Sequence, residues 1–154
     1  MIELKVTGLD GVLDTLKALP AEVVSKRGGP VKLALAKGAR MLRDAAKQRL
    51  EQVIAQDGSD TTGATAANLI ASRGKYAGRG EKYLVRMRAK SYINAKGGKT
   101  TTSRTGNLLE YGSKHQAATP WLRPAAEANA QRIVDTVNAD LVRRVNRIVR
   151  KLQK

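Results

Sequence analysis

Cysteine and phenylalanine are missing from this sequence altogether, and histidine and tryptophan occur once each. Without cysteine there are no disulfides, no thiolate metal ligands and no thiol nucleophile, a usage that fits a reducing compartment. A single histidine excludes a His-rich metal site and leaves Ser–His–Asp and Cys–His arrangements little to draw on. With no Phe and 3% aromatic residues, a core has to be built from Leu, Val, Ile and Ala. No apolar run approaches the roughly 20 residues that span a bilayer. The opening MIELKVTGLDG has no basic segment followed by an apolar one, so neither a membrane span nor a secretory signal is expected. Acidic residues are scarce as well: 13 Asp and Glu stand against 29 Lys and Arg, a formal net charge of +16. That excess favours contact with a polyanion, nucleic acid above all, or docking on acidic protein partners, with solubility as the plain alternative.

What remains reads as one domain over residues 1–154, with 42% hydrophobic residues and no internal repeat. Residues 2–6 (IELKV) alternate apolar and charged side chains, as a half-buried strand does. Leu9, Val12, Leu13, Leu16 and Leu19 then recur at helical spacing until Pro20. From Pro30 to about Ala55 a second helical stripe runs through Val31, Leu35, Gly38, Leu42, Ala46, Leu50 and Val53. Glycine within that stripe costs about 1 kcal/mol relative to alanine, which points to close approach of another backbone at Gly38. Residues 69–90 read as strand, glycine-rich turn and strand, with Tyr83, Val85 and Met87 in strict alternation. Residues 108–112 (LLEYG) are short enough for one more strand. A final long helix from about Pro124 carries Ala126, Ala130, Ile133, Val137, Leu141, Val145, Ile148 and Leu152 on one stripe, led by Leu122. The order β-α-α-β-β-β-α predicts an α+β fold: a small antiparallel sheet packed on one face by two long helices and one short one. Residues 56–68 and 94–107 have turn composition and are expected to be mobile loops.

Catalytic chemistry finds no convergent set of groups. His115 lies near Ser113 but has no visible orienting carboxylate, and an exposed imidazole is the simpler reading. Asp57 and Asp60 lack calcium-loop spacing. GRGEK and KGGKTTTS contain Gly and Lys without the spacing that aims amides and a lysine at one phosphate chain, so they read as turns. No enzyme activity, metal or cofactor is expected. The basic tail of the last helix is more informative. Arg143, Arg144, Arg147, Arg150, Lys151 and Lys154 follow Asp140 with no acid among them, more cations than a helix dipole confined to the last turn can use. Together with Lys96, Lys99 and Arg104 they are candidate contacts to DNA or to an acidic partner; a solvated helix face is the alternative. No zinc-finger spacing, basic zipper, compact helix-turn-helix or RNA-stacking aromatic set accompanies them.

The least ordinary stretch is EYGSKHQAATPWLRPAAEA, residues 110–128, which holds the only Trp, the only His and two of the four Pro. Pro124 suits the first position of a helix, and each proline restricts the residue before it to extended geometry. The segment Pro120, Trp121, Leu122, Arg123, Pro124 thus reads as a rigid corner, with Trp121 and Leu122 driven into the core as the anchor of the last helix. Glu110, one strand away, is expected to partner an arginine.

Glu110, Tyr111, Gly112 and Ser113, a short polar gap, then Pro120, Trp121, Leu122, Arg123, Pro124 and Ala125 resemble the bacteriophage tail-component family, the head–tail joining, tail-completion or neck proteins of long-tailed phages. The N-terminal strand, GLDGVLDTLKALP and the ALAKGARMLRDAAKQRL helix follow the family's order of elements. The resemblance implies a structural virion protein rather than an enzyme. It implies a homo-oligomeric ring, sixfold in related proteins, that joins connector to tail tube around the DNA channel. Its partners would be other connector and tail proteins and the double-stranded DNA, with no membrane. Its place would be the virion, after assembly in the host bacterial cytoplasm. A free-standing basic protein that binds double-stranded DNA is the alternative function.

Overall fold

The structure, a computed structural model, describes residues 29–58, 60, 62–75 and 81–154, together with Asp14, Lys17 and Ala18. The strand expected over residues 2–6 and most of the short helix expected over residues 9–19 lie outside the described residues. The fold is α+β. Helix α1 (Pro30–Asp57) and a four-residue turn of helix, α2 (Ala64–Ala67), are followed by β1 (Leu69–Arg73) and β2 (Tyr83–Met87). Strands β3 (Ser91–Ile93) and β4 (Lys99–Thr101) come next, then helices α3 (Thr102–Tyr111) and α4 (Leu122–Leu152). The strands form two separate antiparallel pairs, β1 with β2 in the register Leu69–Met87 and β3 with β4 in the register Ile93–Lys99.

Helix α1 begins with Pro30 at its first position, where the missing N–H costs nothing. It ends at Gly58, whose φ of 66° lets its N–H close on the Ile54 carbonyl at 2.7 Å. Its two halves serve different cores. Ala46, Leu50, Val53 and Ile54 pack with Leu69, Leu109, Trp121 and Ala125, and Val85 and Met87 close that cluster from β2. Ala34, near the other end, packs against Ile133, Val137, Leu141 and Val145 of α4. The two long helices therefore run antiparallel, and their interface is the most extensive in the molecule. Gly38 is what lets them approach. A methyl group there would lie 2.5 Å from Cγ2 of Val137 and 3.3 Å from Cγ2 of Ile133. The neighbour that needs the space is thus a pair of side chains and not a backbone.

Four expectations are corrected. Residues 108–111 are helical, the last part of α3, because Thr101 caps that helix: its hydroxyl accepts from the Arg104 N–H at 3.3 Å. Thr102, Thr105, Gly106 and Leu109 then bury one face at helical spacing. Glu110 and Tyr111 accordingly belong to a helix, Gly112 is its C-cap and Ser113 makes only an isolated bridge to Gln116. The two segments expected to be loops hold regular structure. The first contains the end of α1 and all of α2, and the second contains β4 and half of α3. Helix α4 starts at Leu122, two residues before Pro124, so Pro124 occupies its third position. At the other end Leu152 is 58% exposed: Val149 is the last side chain of α4 packed on the core cluster around Ala34 and Val145.

Candidate functional site

The start of α4 is built by a carboxylate from another helix. The first N–H groups of any helix have no acceptor within it, and Trp121, at the N-cap position, has no oxygen to offer. Glu110, buried at the end of α3, supplies both of its own. Oε2 accepts the Trp121 and Leu122 N–H groups, each at 2.8 Å, and Oε1 accepts the Arg123 N–H at 3.1 Å. The next residue is Pro124, which has no N–H, so every donor up to that point is satisfied by one side chain. A negative charge at this end also meets the positive pole of the helix dipole. The arginine partner expected for Glu110 is therefore corrected: Glu110 holds the Arg123 main chain, while the Arg123 side chain is exposed.

Trp121 is buried at 5% exposure, and its indole Nε1 donates to the Gly106 carbonyl at 2.9 Å. Leu122 packs at the edge of the same core and Pro120 is exposed. The loop between the helices folds tightly. Gly112 adopts a φ of 73°, and a Cβ on it would come within 2.7 Å of the Ala118 nitrogen. Ser113 and Gln116 exchange main-chain hydrogen bonds, and the Thr119 N–H donates to the Leu109 carbonyl at 2.7 Å. His115 is exposed in this turn, where its N–H donates to the Ser113 hydroxyl, and Tyr111 is exposed beside it.

The basic tail of α4 divides in two. Asp140 is buried, with Arg143, Arg144 and Lys37 around it; Arg143 donates at 2.6 Å and Lys37 at 3.4 Å. Burial works against its charge, but Arg144 and Arg143 outweigh burial with help from Lys37, and the carboxyl is held down at about 2. Arg143 and Arg144 are thus engaged in holding α4 to itself and, through Lys37, to α1. Arg147, Arg150, Lys151 and Lys154 are exposed and form no ion pair with a described residue. Arg150 and Lys151 lie in the last turn, where the helix dipole favours them.

Lys96, Lys99 and Arg104 stand on a second basic region, exposed at the β3–β4 turn and at the start of α3. The base of this ribbon is closed by Thr102, which is fully buried. Its N–H donates to the Lys90 carbonyl at 2.9 Å, and its hydroxyl donates to the Arg88 carbonyl at 2.6 Å while accepting the Lys90 N–H at 3.0 Å. The inner face is held by the Tyr92 hydroxyl, 2.6 Å from that of Thr105. At the tip, Asn94 Oδ1 accepts the N–H groups of Lys96 and Gly98 at 3.1 and 2.8 Å, and Gly97 turns the chain at φ 76°.

Two polar centres had sequence signals that composition concealed. Asp60 accepts from the Thr62 N–H and hydroxyl and from the Thr65 N–H, at 2.9, 2.6 and 2.6 Å, and so opens α2. Burial raises its carboxyl pKa, but these hydrogen bonds prevail and leave it below the ordinary value. Asp followed by Thr two and five residues on is a capping pattern. Thr101, a hydroxyl residue at the N-cap position, marks α3 in the same way.

Among the described residues no three His, Asp or Glu side chains gather where a metal ion would be held, and no helix is long and apolar enough to cross a membrane. A groove of about 620 Å³ runs between α1 and the first half of α4, lined by Met41, Ala45, Gln48, Ala125, Ala128 and Ile133 among others. No protein-family model, curated protein or solved structure matches the chain.

Proposed function

We propose that the chain is a ring-forming adaptor at the head–tail junction of a tailed phage, a tail-completion or neck protein that joins connector to tail tube around the DNA channel. One observation carries this reading. The residues that carry the family resemblance, 110–113 and 120–125, form a single constructed unit in which the carboxylate of one half binds three successive amides of the other. Tryptophan is required to fill the space above Gly106, and glycine at 112 to let the chain turn against Ala118. Glu110, Gly112 and Trp121 thus each have a physical reason to occur together.

On this reading the corner is scaffold and the work lies in surfaces. A closed ring needs two different faces on each subunit that meet head to tail. The long antiparallel pair α1–α4 offers a rigid body for that, and basic surfaces raise the rate at which acidic connector or tail subunits dock. The protein would gather in the host cytoplasm and end in the virion, six copies to a ring. Mass spectrometry of purified particles, with immunolabelling by electron microscopy, tests the proposal. The expected result is a low, fixed copy number at the neck; absence from the mature particle overturns it.

A further inference from the structure

We propose that the β3–β4 ribbon and the first turn of α3, rather than the tail of α4, form the surface that meets the phosphate backbone of double-stranded DNA. The proposal rests on the adaptor reading for the source of that duplex, the DNA in the channel. Between residues 82 and 109 the chain has seven Lys or Arg and no Asp or Glu, its longest run without an acid, beside shorter ones at residues 23–43 and 141–154. Arg88, Lys90, Lys96, Lys99 and Arg104 are all exposed. None of them forms an ion pair with a described residue. In the α4 tail, by contrast, the first two arginines are turned onto Asp140.

The fold brings these five cations into one module. Thr102 ties the main chain of residues 88 and 90 to the start of α3, two residues before Arg104, and the pairing of Ile93 with Lys99 sets the far side. The module is a two-stranded ribbon that forms its own sheet, not hydrogen-bonded to the other strand pair. A ribbon of that kind is one of the two elements that a major groove about 12 Å wide admits. Its outer positions are Ser91 opposite Thr101 and Ile93 opposite Lys99. Hydroxyls, main-chain amides and cations are the groups that hold phosphates, whereas a protein partner would need a cluster of apolar anchors, and Ile93 alone does not make one. At the tip the Asn94 carboxamide oxygen already accepts two amides of its own turn and is not free to read a base.

The test uses the full chain and a random-sequence duplex of about 30 base pairs, titrated between about 50 and about 200 mM salt, the range over which phosphate contacts lose most affinity. The variant Lys96→Gln, Lys99→Gln, Arg104→Gln is compared with Arg147→Gln, Arg150→Gln, Lys151→Gln, which removes the same charge from α4. All six side chains are exposed, so both variants should fold, and circular dichroism with thermal melting checks that they do. Each cation that meets a phosphate contributes about −0.9 to the slope of log K against log salt. The ribbon variant is expected to lose about 2.7 units of slope and the α4 variant less than one. A loss below two units from the ribbon, or an equal loss from α4, overturns the proposal. So does binding of polyglutamate as tight as that of the duplex, which would make the ribbon a dock for acidic protein. Absence of the protein from particles would remove the adaptor and leave these binding results standing; an inert ribbon would leave the adaptor standing.

Discussion

The corner at the start of α4 and the ribbon before α3 are neighbours in the chain and use polar groups in opposite ways. In the corner a buried carboxylate is saturated by main-chain amides, and the cation beside it, Arg123, points to solvent. In the ribbon buried hydroxyls close the main chain, and five cations stand outside with no carboxylate partner among the described residues. With 13 acidic residues in the chain, where they are placed matters more than how many there are. Glu110, Asp60 and Asp140 are buried and complete helices or bind cations inside the fold, while the ribbon is left positive. The net charge is thus not spread evenly: three acids are buried in the architecture, and unopposed cations collect on particular surfaces.

Unfolding measurements separate the two regions. Replacing Trp121 by Ala should have the largest effect, a loss of about 3–5 kcal/mol in denaturant unfolding, as for other buried Trp truncations. An unchanged transition would show that Trp121 is not a core anchor. Glu110→Ala should follow at about 2–3 kcal/mol, since three amides, one of them buried, lose a charged acceptor. Loss of less than about 0.5 kcal/mol would mean that water replaces the carboxylate, and the corner would then resemble the ribbon.

Asp140→Asn probes the ion pairs of α4 through pH. The folded carboxyl sits at about 2 against an ordinary 3.8, so its contribution is fully present above 3.8 and is lost as pH falls through about 2. The shift corresponds to about 2 kcal/mol at neutral pH. The stability gap between wild type and Asp140→Asn should be widest near neutrality and close towards pH 2; a gap that persists there contradicts the ion-pair account. The smallest effect is expected in the ribbon, where Lys96→Gln and Lys99→Gln should alter stability by no more than about 0.5 kcal/mol. A larger loss by thermal melting would reveal a structural role for those cations.

What the sequence made legible follows from which interactions leave a periodic trace. Helices α1 and α4 are long and β2 alternates strictly, so their more buried positions recur at close to the spacing of the element. Helix α3 leaves no such trace because its buried face is Thr102, Thr105, Gly106 and Leu109, small or polar residues that do not register as an apolar stripe. Seen without that face, LLEYG resembles a strand. Glu110 stands within an unusual motif, but its partners are main-chain amides 11 to 13 residues away, and an amide carries no signature in sequence. Asp140 is legible in part: Arg143 and Arg144 stand three and four residues on, as helix neighbours do, whereas Lys37 reaches it from 103 residues away.

The reach of Glu110 has a kinetic consequence. A helix that carries its own cap can form its first turn alone, but α4 cannot complete its first turn until α3 has placed Glu110 beside it. The exchange of the Trp121, Leu122 and Arg123 amide hydrogens with solvent should therefore follow the opening of α3 and not the fraying of α4. The two helices, separated by a ten-residue turn, should unfold and refold as one unit, with the carboxylate acting as the latch between them.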